Sequence, residues 1–199
     1  MAATDYRERT DGELVELARG AAADPRPFEV LVGRYQQRIL TNCRYLTRSP
    51  DDAEDLAQEV FVKAFFGLAR FEGRSKFSTW LQSIKINHCL NFLQKKKGRQ
   101  MVDLEAPGRE LEAGLYSAAN SAIDLESLDQ RRRIGRVLDS MSATLRVPLL
   151  LRDLDGLSYQ EVADRLGIGM SAVKMRIKRA REEFRELYGR DSPGRAEVR

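Results

Sequence analysis

The sequence is poor in the side chains that build metal centres and catalytic sites. Its 199 residues include one histidine, His88, and two cysteines, Cys43 and Cys89, which stand far apart and in no CxxC pattern. This argues against a disulfide framework and against zinc, because both need cysteines at characteristic short spacings. The sequence offers no recognisable set of a nucleophile with a base, and no cluster of metal-binding residues. We therefore expect no enzyme activity, no metal and no cofactor.

Long apolar runs are also missing. No run approaches the roughly 20 residues that a membrane-spanning helix needs, and the opening MAATDYRERTDGE has no basic stretch followed by an apolar one, as a signal peptide would. The strict apolar–polar alternation of strands is absent. The sequence therefore predicts an all-α, cytoplasmic protein with no membrane insertion.

Helical periodicity divides the chain into two blocks. Residues 1–99 and 125–188 carry helix-start signals and apolar residues at helical spacing, whereas residues 100–124 have weak periodicity and a Pro-Gly pair. Loops of that length are uncommon inside compact domains. We expect two small helical domains joined by a flexible linker, with residues 189–199 as a short disordered tail.

The C-terminal block has the pattern of a helix-turn-helix. Ser158 and Glu161 form a capping box for a short helix, and Gly167 stands where that helix must stop and the chain reverse. The next segment, MSAVKMRIKRAREEF, is amphipathic and basic, as a helix that enters the major groove of DNA would be. The residues on or beside its outward face are Ser171, Lys174, Met175, Lys178 and Arg179.

Two ordinary interpretations compete with DNA binding at this helix. Net charge is only +4, and a basic run alone usually means a solvated helix with ion pairs between successive turns. A helix on a membrane surface is disfavoured because the apolar face is narrow and lacks tryptophan. The capping box, the turn glycine and the phase of the apolar face favour DNA.

Aromatic and basic residues alternate in RFEGRSKFSTW, residues 70–80. Such a mixture suits unpaired nucleic acid, because bases stack on the rings while cations hold phosphates. The alternative is that rings such as Phe77 and Trp80 belong to the core. The helix that follows presents Asn87 and Asn91 on one side.

The predicted helix 49–68 has an outward face that is partly acidic and partly apolar. Mixed faces of this kind favour protein partners, although a single exposed phenylalanine is common. The face comprises Asp55, Gln58, Glu59, Val62, Lys63 and Phe66.

The chain resembles bacterial RNA polymerase sigma factors of the extracytoplasmic-function class in four ordered blocks: FEVLVGRYQQRILTNCRYL, DDAEDLAQEVFVKAF, FEGRSKFSTWLQSIKINHCLNFL and LRDLDGLSYQEVADRLGIGMSAVKMRIKRAR. The resemblance implies that the first domain binds the β′ clamp helices of the polymerase core and melts the −10 promoter element. The second would bind the β flap and read the −35 element as duplex DNA. The linker would thread the RNA-exit channel, and an anti-sigma factor would hold the protein inactive.

The resemblance also implies roles for three groups of residues. The group for core polymerase is Asp55, Gln58, Glu59 and Phe66. The group for the −10 strand is Phe71, Arg74, Ser75 and Lys76, with Asn87 lining the pocket for a flipped base. The group for −35 bases is Lys174, Met175 and Arg179, supported by Ser171 and Lys178.

The recognition helix departs from the family pattern at its start. Gly169, Ser171 and Ala172 stand where the family usually has proline, glycine and threonine, and Met175 is bulkier than the small polar residue often found. Because of this departure, the family pattern does not predict which −35 sequence the helix reads, although it still predicts the fold.

Two other functional classes fit less of the sequence. A helix-turn-helix regulator that acts without docking on core polymerase would not explain RFEGRSKFSTW. A recombinase-like enzyme would need clustered carboxylates or a nucleophile, and DDAED is better explained as a helix start with a docking face.

Overall fold

The computed structural model describes residues 6–20, 24–100 and 125–191, and these residues form helices joined by short turns. The chain divides into two compact units, with the boundary between residues 104 and 105. The expected all-α class is confirmed. Of the predicted linker, only Gln100, the last residue of a helix, is described; residues 101–124 lie outside the described ranges. No helix in the described part is long and apolar enough to cross a membrane.

The N-terminal unit is a bundle in which the longer helices pack around one core. A 3-10 turn at Tyr6–Glu8 precedes α1, and another at Leu68–Arg70 follows α3. Helix α2 packs against the other three helices, so their buried leucine, valine and alanine side chains share one interior. The four helices are α1 (Asp11–Gly20), α2 (Arg26–Thr47), α3 (Pro50–Gly67) and α4 (Phe77–Gln100).

Side-chain caps fix where two of these helices begin. Thr10 Oγ1 accepts a hydrogen bond from the Glu13 amide at 3.3 Å, and Glu13 Oε2 accepts one from the Thr10 amide at 2.8 Å, which forms a capping box before α1. Ser49 Oγ accepts from the Asp52 amide at 3.3 Å before α3. Each cap satisfies amide groups that the first helical turn leaves without partners.

The C-terminal unit is built around its last helix. Helix α8 packs against α5, α6 and α7, and a single π-helical turn at Leu150–Leu154 extends α6. Its core includes Met141, Leu151 and Val162, all fully buried. The four helices are α5 (Leu125–Ser140), α6 (Ala143–Leu149), α7 (Tyr159–Leu166) and α8 (Met170–Arg190).

Helix α8 is longer than the sequence predicted. It continues through Arg190, whereas the predicted domain ended at 188 and the tail began at 189. Two contacts with α5 hold this end: the Arg133 guanidinium lies 3.7 Å from the centre of the Tyr188 ring, and Arg136 Nη2 donates to Asp191 Oδ2 at 2.9 Å. The rest of the predicted tail, residues 192–199, lies outside the described residues.

Candidate nucleic-acid interface

The turn between α7 and α8 has the geometry of a helix-turn-helix. A reciprocal capping box starts α7: the Glu161 amide donates to Ser158 Oγ at 3.2 Å, and the Ser158 amide donates to Glu161 Oε2 at 2.7 Å. The hydrogen bond from the Ser158 amide holds the pKa of Glu161 below its ordinary value. Gly167 then reverses the chain in the left-handed region, at φ 63° and ψ 34°. Both predicted signals are confirmed.

Helix α8 presents opposite faces to the core and to solvent. Val173, Ile177 and Ala180 are fully or almost fully buried against the rest of the unit. Among the described residues, Lys174 and Arg179 have no carboxylate partner, while Lys178 lies 4.0 Å from Glu182. The face that helical spacing predicted to point outward is therefore solvent-exposed in the structure. Its five residues are all exposed: Ser171, Lys174, Met175, Lys178 and Arg179.

A short exposed loop precedes α4 in the other unit. Gly73 turns it at φ 71°, and Arg74, Ser75 and Lys76 all project into solvent. The Arg74 guanidinium lies 2.5 Å from the Glu72 carboxylate, and both side chains are largely exposed. Water screens an ion pair of this kind, so an incoming phosphate can compete with Glu72 for Arg74.

Phe71 is placed differently from the other predicted loop residues. Its side chain is only 7% exposed, and its ring centre lies 4.9 Å from that of Trp80 and 6.4 Å from that of Phe77. Tertiary packing has drawn this ring into an aromatic cluster under the loop. Phe71 therefore offers no open ring face to a base in this structure, in contrast to what its place among cations suggested.

A cavity of about 430 Å³ opens between α3 and α4, beside the loop. The ring of Trp80 forms one wall, and a side chain on Gly67 would begin 3.2 Å from that ring. Aromatic, amide and cationic groups together could stack on a base, hydrogen-bond its edge and hold a phosphate. The cavity is lined by Lys63, Gly67, Arg70, Trp80, Ile84, Asn87, His88 and Asn91. The sequence pointed to Asn87 and Asn91, but it gave no sign that Gly67 and Lys63 complete the walls.

The outward face of α3 is exposed as predicted. Phe66 is 76% exposed and Val62 is 54% exposed. The sequence did not single out Phe65, which is also exposed but packs edge-on against Phe28 with ring centres 5.2 Å apart. Glu59 Oε2 lies 2.6 Å from His88 Nε2 of α4. The remaining predicted residues of this face, Asp55, Gln58 and Lys63, are exposed.

Comparison with known protein families finds a matching family for each of the two units. Residues 31–99 match Sigma-70 region 2, and residues 131–184 match Sigma-70, region 4. The first range contains every residue predicted for core polymerase and for the unpaired strand, and the second contains every residue predicted for duplex DNA.

Individual proteins with similar sequences match this chain along most of its length. The ECF RNA polymerase sigma-E factor of Escherichia coli strain K12 is 35% identical over 178 residues, which cover 87% of this chain and 91% of that protein. The RNA polymerase sigma-H factor of Pseudomonas aeruginosa is 32% identical over 182 residues, covering 88% and 92%.

Solved structures share the fold. The sigma factor RpoE from Bartonella quintana, solved in complex with the anti-sigma factor NepR, matches with a TM-score of 0.58 and 26% identity, covering 83% of this chain and 98% of that one. CnrH, solved in complex with the cytosolic domain of CnrY, matches with a TM-score of 0.53 at 24% identity, covering 92% and 99%, and supports the fold alone.

Proposed function

This chain belongs to the extracytoplasmic-function sigma factors of bacterial RNA polymerase, and from that membership we propose how its residues divide the work of promoter recognition. A sigma factor is not an enzyme; it initiates transcription by binding promoter elements through its regions 2 and 4. The proposal assigns −35 duplex to the C-terminal unit, and −10 strand opening and the main core contact to the N-terminal unit.

Helix α8 enters the major groove of the −35 element. Lys174 and Arg179 contact base edges, most favourably O6 and N7 of guanine, and Met175 lies against the bases between them. Ser171 and Lys178 hold neighbouring phosphates and so fix the register of the helix. One observation carries this assignment: all five side chains are exposed on one face, while Val173 and Ile177 behind them are buried.

The loop before α4 and the cavity beside it hold the −10 strand after it separates. Flipping a base out of the stack costs a few kcal/mol, which contacts to the extruded base must offset. Arg74, Ser75 and Lys76 supply exposed polar and cationic contacts, and Asn87 supplies an amide at the cavity. Phe71 acts as a positioning residue, because its buried ring packs on Trp80 and supports the loop from below.

The outward face of α3 docks on the β′ clamp helices of core polymerase. Exposed Phe66 provides an aromatic anchor of the kind that dominates interface energies. Asp55, Gln58 and Glu59 provide polar contacts about two to three helical turns earlier on the same face. The C-terminal unit binds the β flap, and the segment 100–124 occupies the RNA-exit channel between the two units' binding sites.

Control by an anti-sigma protein is part of the same proposal. The Bartonella quintana sigma factor with the same fold was solved with an anti-sigma factor bound. A partner that covered the α3 face would prevent core docking without destroying the fold. The site of action is the cytoplasm, where core polymerase and promoter DNA are found.

Permanganate reactivity of promoter thymines tests the proposal as a whole. The purified chain, core polymerase and both together are each incubated with a promoter that the mixture selects from random DNA. We expect reactive thymines in the −10 element only when both proteins are present. Opening by the chain alone, or a closed promoter with both present, would contradict the assigned role.

The fluorescence of Trp80 tests the cavity separately. Trp80 is the only tryptophan of the chain, and its ring lines the cavity with Asn87. Single-stranded −10 DNA should therefore change the tryptophan emission of the holoenzyme more than that of core polymerase alone, and the difference between the two changes reports on Trp80. Asn87→Ala should weaken this response, whereas Glu54→Ala, an exposed change on α3 away from the cavity lining, should leave it intact.

A further inference from the structure

The solvent face of α8 contains a large apolar side chain at its centre. Met175 is 55% exposed, with the exposed cations Lys174, Lys178 and Arg179 around it. At about 100° per residue, Met175 points about 160° away from the buried Val173 and equally from the buried Ile177. Met170 is also exposed, but it lies about 60° from Val173 and therefore to one side.

An apolar group in this position discriminates between bases. On the major-groove edges of the base pairs, the C5 methyl group of thymine is the one large apolar group, and the groups that distinguish the other bases are hydrogen-bond donors and acceptors. A methionine pressed against a donor or acceptor strips it of water and offers only a weakly accepting sulfur in return. Against a thymine methyl, the flexible thioether chain removes apolar surface from water on both sides.

We propose that Met175 makes this sigma factor prefer thymine at one position of its −35 element through contact with the thymine methyl group. The inference rests on the proposed function, since it requires α8 to lie in the groove of the −35 duplex. It assigns to Met175 a specificity that cations cannot supply, because lysine and arginine donate to guanine and to phosphate alike.

Deletion of the methyl group from the DNA provides the test. Holoenzyme selects −35 sequences from two randomised duplex libraries, one synthesised with thymidine and the other with deoxyuridine, which lacks only the C5 methyl. Wild type should enrich thymine at one −35 position of the first library. The preference should fall about fourfold in the deoxyuridine library, the effect of one buried methyl-sized group.

Two variants attribute the effect to a side chain. Met175→Ser should remove the difference between the libraries at that position, and Met170→Ser should leave it unchanged. An intact −35 selection with no loss in deoxyuridine would overturn the inference while the proposed function stood. A difference that persisted in Met175→Ser would also overturn it, since another residue would then read the methyl. A holoenzyme that selected no −35 sequence from either library would refute the −35 role itself.

Discussion

Arg181 donates two hydrogen bonds to the carboxylate of Asp153, from Nε to Oδ2 at 2.9 Å and from Nη2 to Oδ1 at 2.6 Å. This bidentate contact raises the pKa of Arg181 and joins the middle of α8 to the π-helical turn after α6. Arg179, two residues earlier, is exposed and has no carboxylate partner among the described residues. We therefore expect the two arginines to have separate tasks: Arg181 holds the helix against its own unit, and Arg179 contacts DNA.

The first prediction concerns −35 reading. Lys174→Ala combined with Arg179→Ala should abolish preference for promoters with a −35 element, because each base contact contributes about 1–3 kcal/mol to discrimination. Affinity for core polymerase should stay unchanged, since neither residue lies on α3. Holoenzyme binding to matched duplexes with and without the −35 element measures the first effect, and titration of labelled sigma with core measures the second.

Arg181→Ala is the matched control for that experiment. Both side chains in the Arg181–Asp153 pair are about 40% exposed, so losing the pair should destabilise the unit by no more than about 1 kcal/mol. Preference for the −35 element should survive. Equal loss of preference in Arg181→Ala, or weakened core binding in the double variant, would contradict the division of roles between these residues.

The second prediction concerns core docking. Phe66→Ser should weaken affinity for core polymerase by about 30-fold or more, the effect expected of an aromatic hot-spot residue. The fold should be unaffected, because the Phe66 side chain is 76% exposed. Leu17→Ser, a change at another exposed apolar residue of the same unit, should leave core affinity unchanged. Equal losses in both variants would place the docking site elsewhere.

The third prediction concerns acid sensitivity of the N-terminal unit. The hydrogen bond from the Thr10 amide, with a further one from Arg9, lowers the pKa of Glu13 from 4.5 to about 2. A pKa lower in the folded state than in the unfolded one means that ionised Glu13 stabilises the fold above about pH 4.5. That contribution disappears as the pH falls through the window from 4.5 to about 2. Glu13→Gln should therefore lower stability at neutral pH and make it less dependent on pH in that window.

Trp80 makes this measurable in the full chain. As the only tryptophan, it reports urea unfolding of the N-terminal unit alone. Glu161→Gln is the matched control, since it removes the equivalent carboxylate from the capping box of α7 in the other unit. The Trp80 transition should shift in Glu13→Gln and not in Glu161→Gln. If the stability of the N-terminal unit depended on pH in Glu13→Gln as it does in the wild type, the Glu13 capping box would not contribute to the acid sensitivity of that unit.

Local sequence was sufficient to predict which residues are buried and which are exposed wherever their position around a helix alone decides this. The buried and exposed faces of α3 and α8 follow from apolar residues recurring three and four apart, and the turn at Gly167 follows from its glycine. Phe71 is different. Its spacing among cations suggested a solvent-exposed ring, but the rings of Phe77 and Trp80 bury it, and such packing has no local signal.

Contacts between distant segments were also beyond sequence reasoning. Cys43 and Cys89 stand 46 residues apart, yet α2 and α4 pack so that the two sulfur atoms lie 3.6 Å from each other in the core. The pairing of Arg181 with Asp153 likewise depends on how α8 crosses the turn after α6. Periodicity fixes which face of a helix is buried, but it does not fix the partner helix or the register between them.

The last prediction concerns the turn that sets the angle of the recognition helix. Gly167 has φ 63°, and a Cβ built on it would meet no atom within 4 Å. Gly167→Ala should therefore destabilise the C-terminal unit through backbone strain alone, by about 1–2 kcal/mol. Gly167→Asn should cost less, because asparagine tolerates the left-handed region.

A substitution at Gly169, two residues later, is the control that distinguishes backbone strain at Gly167 from a general sensitivity of the turn to substitution. It has φ −64° and ψ 147°, which any residue adopts, and it caps α8 without a side chain. Gly169→Ser should be neutral or slightly stabilising, since serine is a preferred N-cap. Hydrogen exchange of the α7 and α8 amides measures all three variants. If Gly167→Ala protected these amides as well as Gly169→Ser did, the turn would not need glycine, and the angle at which α8 meets DNA would have to be fixed by the buried Val162, Val173 and Ile177 instead.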